Sequence, residues 1–253
     1  MSELIEPSKR PSFLAPVEEG KKVGAELLSD YQRPTFAKII QPQSEDTLKE
    51  TFGEGSVVAF PDEKKLFELG QVVHLVPVYF YREFCIHNAY ESDRVEFIRE
   101  RTYDPESDLA RKCRSRNKGD WYIDEEGSAA EHLNFIVILL TENPLSIKPV
   151  VLSFFKSGWK FGANLCSTLD LLEGNHICEF RLQAEVKKKR YKNNSYYVLD
   201  VTTPSDNNQY LEDEKIFKFA MRQYDLAVKA YESGELQVDY EVEKEGEETS
   251  EFS

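Results

Sequence analysis

From Cys178 to Lys187 the chain alternates without a break, and this pattern restricts the fold more than any other stretch. Cys178, Phe180, Leu182, Ala184 and Val186 share one parity, whereas Glu179, Arg181, Gln183, Glu185 and Lys187 share the other. A period of two puts the first set on one face of a strand and the second in solvent, as in an antiparallel sheet covered on one side. The partner strand is predicted at Ser195 to Thr203, reading SYYVLDVTT, and is reached through a turn around Asn193-Asn194.

The remaining elements supply a sheet for this hairpin to join. A long strand is expected from Val72 to Ile86, with Val72, Val76, Val78, Phe80, Phe84 and Ile86 on one parity and a bend at Pro77. Leu133 to Leu140 (LNFIVILL) is apolar on both faces and reads as a buried strand; Val150 to Lys156 follows as another. Between Trp159 and Glu173 the spacing of Gly162, Leu165, Cys166, Leu169 and Leu172 changes to three and four, which predicts a helix closed by Gly174. Phe217, Ala220, Met221, Tyr224, Ala227, Val228 and Tyr231 predict an amphipathic helix ending near Gly234. Short β-like runs at Phe36 to Ile40 and Ser56 to Phe60 can extend or cap the sheet.

The expected class is mainly β with helices. Three strands, a helix and two more strands are the order of an OB-fold, a five-stranded barrel. Here it would carry a long insertion between its first two strands, an N-terminal extension and a C-terminal helix. Residues 1–34, with Pro7, Pro11, Pro16 and Pro34, are expected to form a flexible arm. Residues 35–205 would be the OB-fold-like domain, 206–233 the C-terminal helix, and 234–253 a disordered acidic tail.

Charge is distributed unevenly. The formal net charge is −14, but Glu232 to Ser253 holds nine acids against Lys244 alone and so accounts for −8 of it. Two short windows carry the opposite sign and no acid. Five of the eight residues from Arg111 to Lys118 are basic, namely Arg111, Lys112, Arg114, Arg116 and Lys118. Lys187, Lys188, Lys189, Arg190 and Lys192 are five of the six residues of the second window. In the expected fold these windows fall in the loops joining strands 1–2 and 4–5, where OB-folds take oligonucleotides. Aromatic residues adjoin both: Trp121 and Tyr122 the first, Tyr191 and Tyr196 the second. Cations for phosphates and flat rings for unstacked bases are what a single strand needs, and stacking is worth about 1–3 kcal/mol per base. Tyr196 and Tyr197 should face opposite sides of their strand, one inward and one outward. The segment FFKSGWKFG, from Phe154 to Gly162, reads first as core, with Lys156 or Lys160 bordering the groove.

Cys85, Cys113, Cys166 and Cys178 match no CxxC pair, and the four histidines show no metal-binding spacing, so reduced thiols and neither metal nor cofactor are expected. No phosphate-binding GxxxxGK[ST], GxSxG elbow or HExxH is present, which argues against an enzyme. Nor is there a signal-peptide core or a run of apolar residues long enough to cross a bilayer, so no membrane role and a cytoplasmic location are expected.

With its basic, aromatic segments and acidic tail, the chain resembles the OB-fold single-stranded DNA-binding proteins of tailed bacteriophages. The likeness covers about Val72 to Thr203 by element order and Glu232 to Ser253 by tail chemistry. It implies that the protein coats single-stranded DNA without sequence preference in replication, recombination or repair within the host cytoplasm. The resemblance carries over Phe252 as the tail's terminal aromatic; by its charge the tethered tail, with Glu247, Glu248 and Glu251, is expected to occupy the basic segments until DNA displaces it and then to recruit replication or recombination proteins through Phe252. Ser253 follows Phe252, so a partner gripping both ring and terminal carboxylate would meet one extra residue. RNA offers the same phosphates and stacking faces. Two other readings stand beside this one: a phage interaction or virion protein whose tail imitates DNA, and a metal-dependent nuclease using Asp104, Asp108, Asp120 and Asp124.

Competition between tail and nucleic acid has a direct test. In a gel shift at low salt, a chain ending at Gly234 is expected to bind single-stranded oligonucleotide more tightly than the full chain. Phe252→Ala should leave that affinity unchanged while weakening partner binding. Equal affinity with and without the tail would reduce it to a solubility element.

Overall fold

Two long strands set the frame. In the computed structural model, which describes residues 35–88, 98–124, 127–140, 149–192, 194–206 and 208–234, β4 (Val72–Asn88) and β7 (Gly127–Leu140) pair antiparallel along almost their whole length. Before them come β1 (Thr35–Ile39), α1 (Asp46–Phe52), β2 (Val57–Phe60) and β3 (Lys64–Phe67). Between them lie β5 (Ile98–Thr102), α2 (Asp108–Arg114) and β6 (Tyr122–Asp124). After them follow β8 (Val150–Phe154), α3 (Trp159–Leu171), β9 (Leu182–Tyr191), β10 (Asn194–Thr202) and α4 (Glu214–Ser233). All ten strands join one sheet in the order β10-β9-β4-β7-β8-β1-β2-β3, with β5 on β4 and β6 on β7.

The sheet is open, which corrects the expected closed barrel. β1 lies parallel against β8, and β2 and β3 extend the sheet beyond it, so β10 and β3 are the free ends of the strand order. A strong curl nevertheless brings β10 back to the end of β1. Five strand spacings separate these two strands in the order, about 24 Å if the sheet were flat. Yet the Gln41 amide donates to the Tyr197 carbonyl and accepts from the Tyr197 N–H, both at 2.9 Å. One side-chain amide therefore stands where a closing ladder would run. Gly55, at φ +79°, makes room for this: a Cβ there would meet the Tyr197 ring at 3.1 Å.

Both faces of the sheet are covered, which explains why β7 is buried at nearly every position. On one face Leu75, Phe135, Val137, Leu152, Phe154, Leu182, Ala184 and Leu199 pack with Leu165 of α3. On the other, Val58, Val76, Val78, Ile136, Ile138 and Val151 pack with Ile216, Ala220 and Ala227 of α4. The Asp213 carboxylate caps α4 by accepting from the Lys215 and Ile216 N–H groups, and Gly234, at φ 76°, ends it in the left-handed conformation.

Other expectations shift for local reasons. The register of β4 against β7 slips between Pro77 and Tyr79, so Val76 and Val78 face α4 whereas Phe80 joins the α3 face. The shared parity of Val72 to Ile86 is thus broken at a proline that has no N–H to give the ladder. The alternating strand starts at Leu182, because Ile177–Glu179 forms a 3-10 turn; Cys178 and Phe180 are buried outside β9. In the long insertion, α2 forms because Ser107 caps it by accepting from the Ala110 N–H, Asp108 sits in its first turn, and Arg111, Lys112 and Arg114 fill its last. The arm (1–34) and the tail with Glu247, Glu248, Glu251 and Phe252 lie outside the described residues, as do the side chains of Lys118, Asp120, Asp124 and Tyr191.

α3 approaches β8 through Gly162, where a Cβ would lie 2.6 Å from Phe154 Cβ and 2.9 Å from its Cγ. Gly162→Ala should therefore destabilise the fold by about 1–3 kcal/mol despite its better helix propensity. The midpoint of a urea unfolding curve reads this directly, and an unchanged or raised midpoint would contradict the close approach.

Candidate nucleic-acid interface

The second basic window lies on a strand and not in a loop, a correction with consequences for its geometry. β9 pairs with β4 only from Leu182 to Glu185; beyond that, among the described residues, it pairs with β10 alone. Lys187 to Tyr191 and Asn194 to Val198 therefore project as a two-stranded ribbon turning at Lys192, whose φ is 53°. Lys188, Lys189, Arg190 and Lys192 are exposed on it. Lys187 is set apart: its ammonium donates to Asp200 at 2.6 Å with Glu185 at 3.8 Å, and the hydrogen bond to Asp200 raises its pKa. Tyr197 points inward and is buried, while Tyr196 remains half-buried on the opposite side, as the alternation requires. The Lys188 ammonium lies 5.7 Å from the Tyr197 ring centre, and that of Lys189 lies 5.7 Å from the ring centre of Phe161 in α3.

The first basic window folds as α2 and the turn after it, again not as an open loop. Leu109 and Ala110 anchor α2 against Phe84, Ile86 and Ala129, leaving Arg111, Lys112, Arg114 and Arg116 exposed. Arg111 is paired with Asp108. Arg114 donates to the Pro105 carbonyl at 3.0 Å, with its guanidinium 4.6 Å from the Phe84 ring centre. Lys118 opens a 3-10 turn through Trp121, whose indole N–H donates to the Ser115 carbonyl at 2.9 Å. Tyr122, 72% exposed, presents its ring to solvent. Of the candidate nuclease carboxylates, Asp108 pairs with Arg111 and Asp104 accepts from the Glu106 N–H.

The first turn of α3 lies between the two windows. Phe161 meets Lys189 from one side. Trp159, 41% exposed, donates its indole N–H to Glu131 at 3.1 Å, and Glu131 holds Arg82, whose guanidinium shares the Phe84 ring with Arg114. A chain of contacts thus runs from the ribbon across α3 to α2, passing through the Glu131 carboxylate and the buried Phe84 ring. Phe154 and Phe155 are core or near-core, as expected, but Trp159 belongs to this surface.

A second constellation lies inside the sheet. Cys85 and His87, two residues apart on β4, meet His132 of β7, and the three donor atoms fall within 4.8 Å of one another. The two Nε2 atoms are 2.6 Å apart; His132 Nδ1 lies 2.9 Å from Ser153 Oγ, and its ring stacks on Phe155 at 4.3 Å. Burial first, then the nearby Lys156, pushes His87 down to about 3; burial, the neighbouring His87 and Lys156 push His132 well below its usual value. Glu83, adjacent on the same strand and raised by burial, is partnered by Arg101 at 3.4 Å and by the Asn134 amide at 3.3 Å. The sequence conceals this group because 45 residues separate the histidines; its one local trace is the Cys85-x-His87 spacing, which places two ligand-type residues on one strand face.

A family model described as Pam3 phage gp34-like protein matches residues 28–232. The chain belongs to this family. Both basic windows, the first turn of α3 and the Cys85–His87–His132 group lie within the matched region, and the acidic tail lies beyond it. Membership of the Pam3 phage gp34-like family fits the expected phage origin. Neither a curated protein nor a solved structure matches the chain. Among the described residues no helix is long and apolar enough to cross a membrane.

The four thiols differ in access. Cys85 and Cys178 are buried, Cys113 and Cys166 half-buried; burial raises all four, Cys113 and Cys178 to about 11. Alkylation of the native protein followed by peptide mass mapping should label Cys113 and Cys166 slowly, and Cys85 and Cys178 only after denaturation. Rapid native labelling of Cys178 would contradict its place beneath α4.

Proposed function

We propose that this phage-family protein binds single-stranded DNA without sequence preference, on the surface running from the β9–β10 ribbon across the first turn of α3 to α2. The observation that carries the reading is the ribbon, where Lys188, Lys189 and Arg190 are exposed in succession, whereas Lys187 is paired with Asp200. Phosphates are met by these cations and by Lys192, Lys112 and Arg116; bases stack on Tyr122, Trp159 and the half-buried Tyr196. The strand order supports the same reading. β10-β9-β4-β7-β8 is the neighbour order of OB-fold strands five, four, one, two and three, with the closing contact replaced by the N-terminal strands.

In this reading the protein acts by binding, not catalysis, and its place is the host cytoplasm during replication, recombination or repair. The acidic tail lowers affinity for DNA until displaced and then draws in partner proteins. Single-stranded RNA, duplex DNA and a partner protein alone are the outcomes to compare.

The test is a salt titration of binding to an unstructured oligonucleotide. A Lys188→Ala, Lys189→Ala, Arg190→Ala triple variant should lower affinity and flatten the log K against log salt slope by about 2, near 0.7 for each phosphate left without its cation. Lys187→Ala should leave the slope nearly unchanged, since Asp200 already holds that ammonium. Tyr122→Ala should weaken binding by about 1–3 kcal/mol at constant slope, because stacking releases no counterions. A folded triple variant that binds like the parent, or tighter binding to duplex, would overturn the proposal.

A further inference from the structure

The Cys85, His87 and His132 group is not used by the surface described above. It lies toward the end of the β4–β7 ladder that β5 and β6 flank, with all three side chains buried and carried by the adjacent strands β4 and β7. We propose that Cys85 Sγ and the imidazoles of His87 and His132 bind one zinc ion. The donor set narrows the metal: one thiolate with two imidazoles suits zinc, and by the same ligand types copper, and disfavours magnesium or calcium, which take oxygen.

The surroundings match those of a metal ligand. Ser153 Oγ engages His132 Nδ1 and so turns Nε2 toward His87, while Phe155 lies 4.3 Å away and nearly parallel to the His132 ring. A hydrogen-bond partner on the far nitrogen is the usual orienting device for a ligating histidine. Zinc at about 2.0–2.1 Å from each nitrogen in a tetrahedral site separates the two nitrogens by about 3.4 Å. The rings, 2.6 Å apart at Nε2, must therefore part by about 0.8 Å, a small rotation for two side chains. Binding replaces the thiol proton: the S–H bond breaks, the S–Zn bond forms and one proton leaves, while the neutral imidazoles release none. The ion and one thiolate leave a single positive charge, and Glu83, two residues before Cys85 on β4 and held by Arg101 and the Asn134 amide, is a carboxylate on the same strand face. The ion would tie β4 to β7 where β5 and β6 flank the pair.

The experiment uses the full chain expressed without a histidine tag. Elemental analysis after gel filtration is expected to find about one zinc per chain, and Cys85→Ser and His132→Gln to lower it at least tenfold. Cys178→Ser should keep it. Because the first two variants alter the sheet interior, the unaltered protein provides a second measurement. Refolded with cobalt in place of zinc, it should show tetrahedral cobalt absorption and a thiolate-to-cobalt charge-transfer band. Protein that is folded, metal-free as purified, and still without zinc or a cobalt–thiolate band after incubation with either ion would overturn the proposal. So would a different metal at full occupancy, or zinc retained in a folded Cys85→Ser variant. None of these readings involves DNA, so their failure is separate from failure of the proposed function.

Discussion

Everything in this fold depends on the pairing of β4 with β7. The two strands run together from His74 opposite Leu140 to Asn88 opposite Gly127, and both faces of this ladder are covered along most of its length. A long pair buried on both sides can place other elements at its ends without losing its own register, because a one-residue slip would turn every inward side chain outward. β9 joins β4 near its start and then leaves it as the ribbon; β5, α2 and β6 gather at the other end. The bulge at Pro77–Tyr79 divides the two regimes, sending Phe80, Arg82 and Phe84 toward the α3 and α2 side and Tyr79 and Tyr81 toward α4.

The basic residues separate into two populations under this geometry. Lys187 with Asp200, Arg82 with Glu131, Arg101 with Glu83 and Arg181 with Asp206 hold elements together across the sheet or its returns. Lys188, Lys189, Arg190, Lys112 and Arg116 instead point outward. Sequence windows count both populations alike. The distinction matters because a cation already neutralised by a carboxylate releases few counterions when a phosphate arrives, whereas an exposed one contributes fully to salt-dependent affinity.

What the sequence disclosed follows from where one face meets water. The β9–β10 hairpin was legible because its outward residues are polar and its inward ones apolar; α4 was legible for the same reason, with Gly234 marking its end. β7 is legible only from Leu133 onward, since Gly127 to His132 is mostly buried but compositionally mixed, including Glu131 and His132. α2 escaped because seven residues carry too little period, although Ser107 followed by Asp108 and a basic last turn spelled its caps. The opening of the sheet was not readable at all. It rests on the parallel contact of β1 with β8, joining Thr35–Ala37 to Val150–Leu152, and on one amide at Gln41, neither of which leaves a local pattern. In the candidate surface, the cations and rings are legible by type, but Trp159 reads as core in the sequence because a strand-to-helix junction is usually buried, whereas it is 41% exposed.

The polar interior and the outer surface meet at one short segment. Phe155 stacks on His132, the 3-10 turn Lys156–Gly158 follows with Lys156 at φ 47°, and Trp159 then reaches Glu131, the residue next to His132 on β7. Because His132 and Glu131 point to opposite faces of the same strand, the segment from Phe155 to Trp159 grips β7 from both sides. That grip fixes where α3 begins, and hence where Phe161 stands relative to Lys189 on the ribbon. A buried histidine pair with two polar neighbours is a costly thing to keep inside a sheet unless its groups satisfy one another. Here His132 also stacks on Phe155, so the buried pair adjoins the turn from which α3 begins.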